Sequence, residues 1–124
     1  MVALVKTEVV SKDNPMEAWK VLDRWGRSTH FDFLPTTEWQ EAKRERIKES
    51  DISVPNAPEY LSGFHCFLSE KDARRSWLMV YGISKKSCRV QIAGEVIHGF
   101  GDGSPGGDHT PVVVAQYIRL APTA

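Results

Sequence analysis

The residues of this chain best suited to chemistry fall in three short stretches. "GFHCF", residues 63–67, sets His65 and Cys66 side by side in an aromatic run. With period-2 alternation, Phe64 and Cys66 share one face and His65 and Phe67 the other. A histidine on a central strand beside a polar turn is where a general base or a ligand contact would sit, and a satisfied core histidine is the plainer alternative. "GRSTH", residues 26–30, gathers Arg27, Ser28, Thr29 and His30. A guanidinium with hydroxyls suits an anion such as phosphate, and the same residues also make a polar turn closed by its own side chains. "GFGDGSPGGDHTP", residues 99–111, holds five of the nine glycines together with Asp102, Asp108 and His109.

That third stretch does not read as a phosphate cradle, which needs a helix to follow and the lysine of a nucleotide-binding loop. Nor is it a calcium loop, because Asp102, Ser104 and Asp108 are too few and no glutamate closes the set. It reads as a connection whose glycines and Pro105 make turns. His30, His65, His98 and His109 lack the i, i+2 or i, i+4 spacing of paired metal ligands. A zinc site would have to assemble His65, His98 and a cysteine from distant parts of the chain, so no metal is expected. Cys66 and Cys88 read as two small buried hydrophobes, with a disulfide as the alternative. No serine has the strained elbow of a hydrolase nucleophile. Catalytic residues are therefore left unassigned, with His65 and Asp108 as the nominees.

Composition narrows the classes further. A length of 124 residues suits one domain, 1–124, with residues 1–14 as a flexible or edge-strand extension. Sixteen basic residues balance sixteen acidic ones, so no global field draws the chain to nucleic acid or to an anionic membrane. The apolar run before Lys6 is too brief for a signal peptide and no later run approaches spanning length. The expected location is cytoplasmic.

The elements that must position these residues follow from local pattern. The spacing predicts strands near 63–67, 87–97 and 111–120, with Gly94 marking a bulge in the second. Ser69 and Asp72 open a capped helix over 70–81 that packs Trp77 on the sheet. For "NPMEAWKVLDRWG" local rules favour a helix, with Asn14 as cap and Gly26 as stop. "TTEWQEAKRERIKES" opens on Thr37 and Gln40 in a capping-box arrangement and reads as a second, solvated helix. The expected fold class is α+β: a single domain with a mainly antiparallel sheet and one or two helices packed on it. Its core is to contain Trp19, Val21, Leu22, Phe64, Cys66, Ala73, Trp77, Val90, Ile92, Val112, Val114 and Ile118.

"AWKVLDRWGRSTH" and "GFHCF", taken in order, resemble a set of small uncharacterised bacterial and phage-encoded proteins across about residues 16–120. The resemblance implies a strand over 17–23, against the capping argument. More remotely, "SGFHCFLSEKDARRSW" is similar to an element of ADP-ribosyltransferase-like folds. That likeness implies a pocket for a nicotinamide dinucleotide (NAD) or another nucleotide, lined by Arg27, Ser28, His30 and His65, with the glycine-rich segment as a lid. The late strand lacks that family's glutamate, and only Asp108 or Gln116 could stand in, so binding without turnover is the implied form.

Two functions follow. The first is a small accessory or inhibitory protein of phage or mobile-element origin, more a binder than an enzyme and needing no cofactor, that contacts a protein partner or a second copy of itself. Arg24, Trp25 and Trp39, with Phe31 and Phe33 nearby, are its interface residues, because the front half carries more aromatics than one element can bury. The alternative is the ADP-ribosyltransferase-like nucleotide-binding domain, active or catalytically decayed.

Overall fold

The computed structural model of the chain describes residues 2–22, 36–43, 46–47, 60–61, 63–75, 86–101 and 110–122. Among them are eight strands and one short helix: β1 (Val2–Val10), β2 (Met16–Leu22), β3 (Gln40–Glu41), β4 (Arg46–Ile47), β5 (Tyr60–Leu61), β6 (Phe64–Phe67), α1 (Glu70–Arg75), β7 (Lys86–Gly101) and β8 (Thr110–Leu120). Every described pairing is antiparallel.

The organising element is β7. One of its edges pairs with β2 through residues 86–92 and then with β1 through residues 94–101, while its other edge runs along β8. β8 carries β6 on its far side at residues 112–115 and β3 at residues 117–118. The ring closes where β2 meets β6, at Trp19 opposite Phe67. The result is a closed four-stranded barrel, β7–β2–β6–β8, with β1 and β3 as extensions.

This corrects the α+β expectation: the fold is mostly β, with α1 alone on its flank among the described residues. The physical reason lies in β7 and β8, which are β-branched and long enough that one sheet can curl until its edges pair, removing the open edges at the seam. Gly94 permits the bend. Its φ is +77° and the register with β8 shifts between Ala93 and Val96, a bulge built on a left-handed glycine. Gln116 fills the gap, its Oε1 accepting the Glu95 N–H at 3.0 Å.

Over the described positions 36–43 and 46–47 the second helix does not form. Residues 36–42 instead strap the open edge of β8, with the Leu120 N–H donating to the Thr36 carbonyl at 2.7 Å and the Ala42 N–H to the Gln116 carbonyl at 2.8 Å. Capping residues lose here because the segment's apolar stripe is thin and β8 offers unpaired backbone groups. The helix that does form has its expected cap, Ser69 Oγ accepting the Asp72 N–H at 3.1 Å. It is described over Glu70–Arg75; positions 76–81, with Trp77, lie outside the described residues.

The barrel interior is filled by Ala18, Phe64, Cys66, Val90, Ile92, Val96, Val113, Ala115 and Ile118. Val21 and Ala73 are buried together outside it, where Trp19 and Phe67 pack under α1. Trp19 is thus half-buried rather than central, while Val21, Leu22, Val112 and Val114 are buried.

Candidate functional site

Strand register places a row of reactive groups across the barrel. Lys20 on β2 lies opposite Cys88 on β7. Continuing the Trp19–Phe67 register by one residue sets Lys20 opposite Cys66 on β6, which in turn lies opposite Val113 on β8, and Val113 opposite His98. Directly opposed residues share a face, so Lys20 stands between two thiols on the inward side.

Lys20 is 4% exposed, and its Nζ donates to the His65 carbonyl at 2.8 Å. Burial lowers the pKa of its ammonium, and the two thiols oppose that in part. Burial pushes the Cys66 thiol up to about 11 and raises that of Cys88 as well. Cys66 donates to the Phe64 carbonyl at 3.8 Å, and both cysteines are free thiols. Protonated, buried thiols are poor nucleophiles. The Lys20 amine bridges β2 to β6 beside the short seam that closes the ring.

At the other end of the row, His98 Nε2 lies 3.0 Å from Glu8 Oε1 and ties β1 to β7. His65 faces the opposite way from Cys66 on β6 and is half-buried, with its Nδ1 inside the protein. His65 and His98 therefore lie on opposite faces of the sheet. Among the described residues no three of His, Cys, Asp and Glu converge on a metal position.

The outward side of the β2–β7–β8 sheet is different. Glu17, Gln91 and Arg119 form one rung, and Ala93 and Tyr117 another. The Arg119 guanidinium lies over the Trp39 ring, 4.3 Å from its centroid, and its Nε donates to Gln91 Oε1 at 2.8 Å. Lys12 Nζ sits 3.8 Å above the Tyr117 ring. A hydrogen bond to Glu41 raises the Tyr117 pKa, and Gln116 Nε2 donates to the same carboxylate at 3.3 Å. Arg89 lies 3.6 Å from Glu17, an exposed pair of small energetic weight.

Of the interface residues read from sequence, Trp39 belongs to this outward face, while Arg24 and Trp25 lie outside the described residues. So do Arg27, Ser28 and His30 of the anion corner, and Asp108 and residues 102–109 of the glycine-rich segment, whose first three positions, 99–101, complete β7. Sequence reasoning missed Lys20, which shares the strand face of Ala18 and Leu22 and so had to point inward, and Arg119, which alternates with Ile118 and Leu120 and so had to point out.

Compared with protein-family models, curated proteins and solved structures, the chain shows no match. No helix among the described residues is long and apolar enough to cross a membrane.

Proposed function

We propose that the protein is a cytoplasmic binding module, an accessory or inhibitory protein that acts by contacting a protein partner through the outward face of the β2–β7–β8 sheet. The observation that carries this is Arg119, held between the Trp39 ring at 4.3 Å and Gln91 at 2.8 Å. Arginine and aromatic side chains dominate binding energy at protein interfaces, and a guanidinium fixed in advance loses less freedom on association. The filled interior supports the same reading, since Cys66 is committed to packing and Lys20 to the seam.

Chemical crosslinking followed by affinity capture from cells making the protein tests it. Trp39→Ala and Arg119→Ala should each deplete the same captured protein by about tenfold or more, the loss expected of an interface anchor of at least ~1.4 kcal/mol. Lys71→Ala, on the exposed side of α1, should leave it unchanged. Equal capture by all variants would remove the reading.

The nucleotide alternative keeps His65 as its described member, half-buried on β6. Calorimetric titration with NAD and with ADP-ribose addresses it separately, because heat that disappears in His65→Ala and persists in Arg119→Ala would favour that pocket.

A further inference from the structure

Among the described residues β1 ends the sheet, paired on one side only, to β7. Such an edge is a template for another strand unless something blocks it. Val9 on β1 is 86% exposed, and Lys6 and Thr7 are exposed beside it. The register of β1 with β7 shifts between Leu4 and Lys6 and is regular from Lys6 to Val10. The outer edge therefore presents a regular ladder over those five positions, with two charges of opposite sign two residues apart.

We infer that this edge pairs, antiparallel, with β1 of a second copy of the chain, about a two-fold axis at Thr7. Symmetry and charge select that register. An antiparallel pair of identical strands has its two-fold perpendicular to the sheet, so the axis must pass through a residue and each side chain meets one on its own face. An axis at Lys6 sets lysine against lysine. An axis at Glu8 sets glutamate against glutamate. An axis at Thr7 sets Lys6 against Glu8 of the second copy, twice, with Thr7 opposite Thr7 inside the regular ladder, while Val9 falls opposite position 5, at the register shift beyond it. Charges that would otherwise blunt the edge thus specify one pairing. Glu8 accepts this partner while holding His98, since a carboxylate has room for several donors. The surface is separate from the Trp39–Arg119 face and does not depend on it.

Sedimentation of the full chain across the micromolar range tests this. The wild type should pass from monomer to dimer. Lys6→Glu and Glu8→Lys, each placing like charges opposite one another twice, should weaken the dimer by about tenfold or more. An equimolar mixture of the two, or the double variant, restores opposite charges and should restore the dimer. Thr7→Cys should crosslink to itself under mild oxidation, because the two copies of position 7 are direct neighbours within disulfide reach. Val9→Cys, which meets position 5, should not. Trp39→Ala should dimerise like the wild type. A wild type that stays monomeric, single charge variants that dimerise unchanged, or equal crosslinking at positions 7 and 9 would overturn the inference.

Discussion

Lys20 ties protonation to stability. Its pKa in the folded chain is lowered from the ordinary 10.5 by burial. Between that lowered value and 10.5 the unfolded chain therefore holds a proton that the folded chain lacks, and stability rises with pH. The slope from this one group is at most about 1.4 kcal/mol per pH unit. Cys66 acts in the opposite sense. Its pKa is raised from 9.0 to about 11, so it removes stability as pH climbs through that interval. Urea unfolding of the wild type should show a gain with pH from Lys20 that ends at 10.5, opposed by a loss from Cys66 between 9.0 and about 11. Lys20→Met should abolish the increase and keep the decline above 9. A rising slope retained in the methionine variant would show that another group is responsible. The two thiols should also differ toward iodoacetamide in the native protein. Half-buried Cys88 should be alkylated first, and Cys66 only on unfolding, as read by peptide mass spectrometry. Simultaneous labelling would contradict the burial of Cys66.

At the scale of elements, Gly94 is the position where sequence and structure agree most closely. A glycine within a β-branched run marked a bulge, and the chain has one there. A Cβ at that position would lie 2.6 Å from Tyr117 Cδ2 and 2.7 Å from Gln116 Oε1, at a φ of +77°. Gly94→Ala should therefore destabilise the fold by roughly 2–4 kcal/mol through strain and displaced side chains. A change under about 1 kcal/mol in denaturant unfolding would mean that the bulge relaxes freely. Strands β6, β7 and β8 were legible because alternation and β-branching are local signals, whereas over β2 the capping residues Asn14 and Gly26 favoured a helix and only the family resemblance implied the strand that forms. The start of α1 was legible from Ser69 and Asp72, again a local signal. The strap was not. Thr37 and Gln40 make a valid helix opening, and what overrides it is the need of Leu120 and Gln116 for backbone partners, which is set by β8 more than seventy residues later. Of the site residues read from the sequence, Trp39 and His65 fall among the described residues. Lys20 and Arg119 acquire their meaning from cross-strand neighbours, and register between distant strands is not written in either strand alone.

For the whole molecule, closure decides the rest. An antiparallel sheet with one helix laid on it would leave both edges open and one face available for a pocket. A ring instead fills its interior, and both surfaces proposed above to bind, the Trp39–Arg119 face and the β1 edge, lie outside it. The seam between β2 and β6 is the narrowest part of that ring, a single residue pair reinforced by the Lys20 amine on the His65 carbonyl. It is also the feature that separates a barrel from a curved open sheet. The most direct measurement is a nuclear Overhauser spectrum of the isotope-labelled protein, read between β2 and β6. A closed barrel predicts cross-strand contacts joining the backbone of Trp19 to that of Phe67, and of Lys20 to that of Cys66, with their intensities lowered in Lys20→Met. The absence of those contacts while the β2–β7 and β6–β8 contacts remain would show an open sheet and contradict the closed barrel.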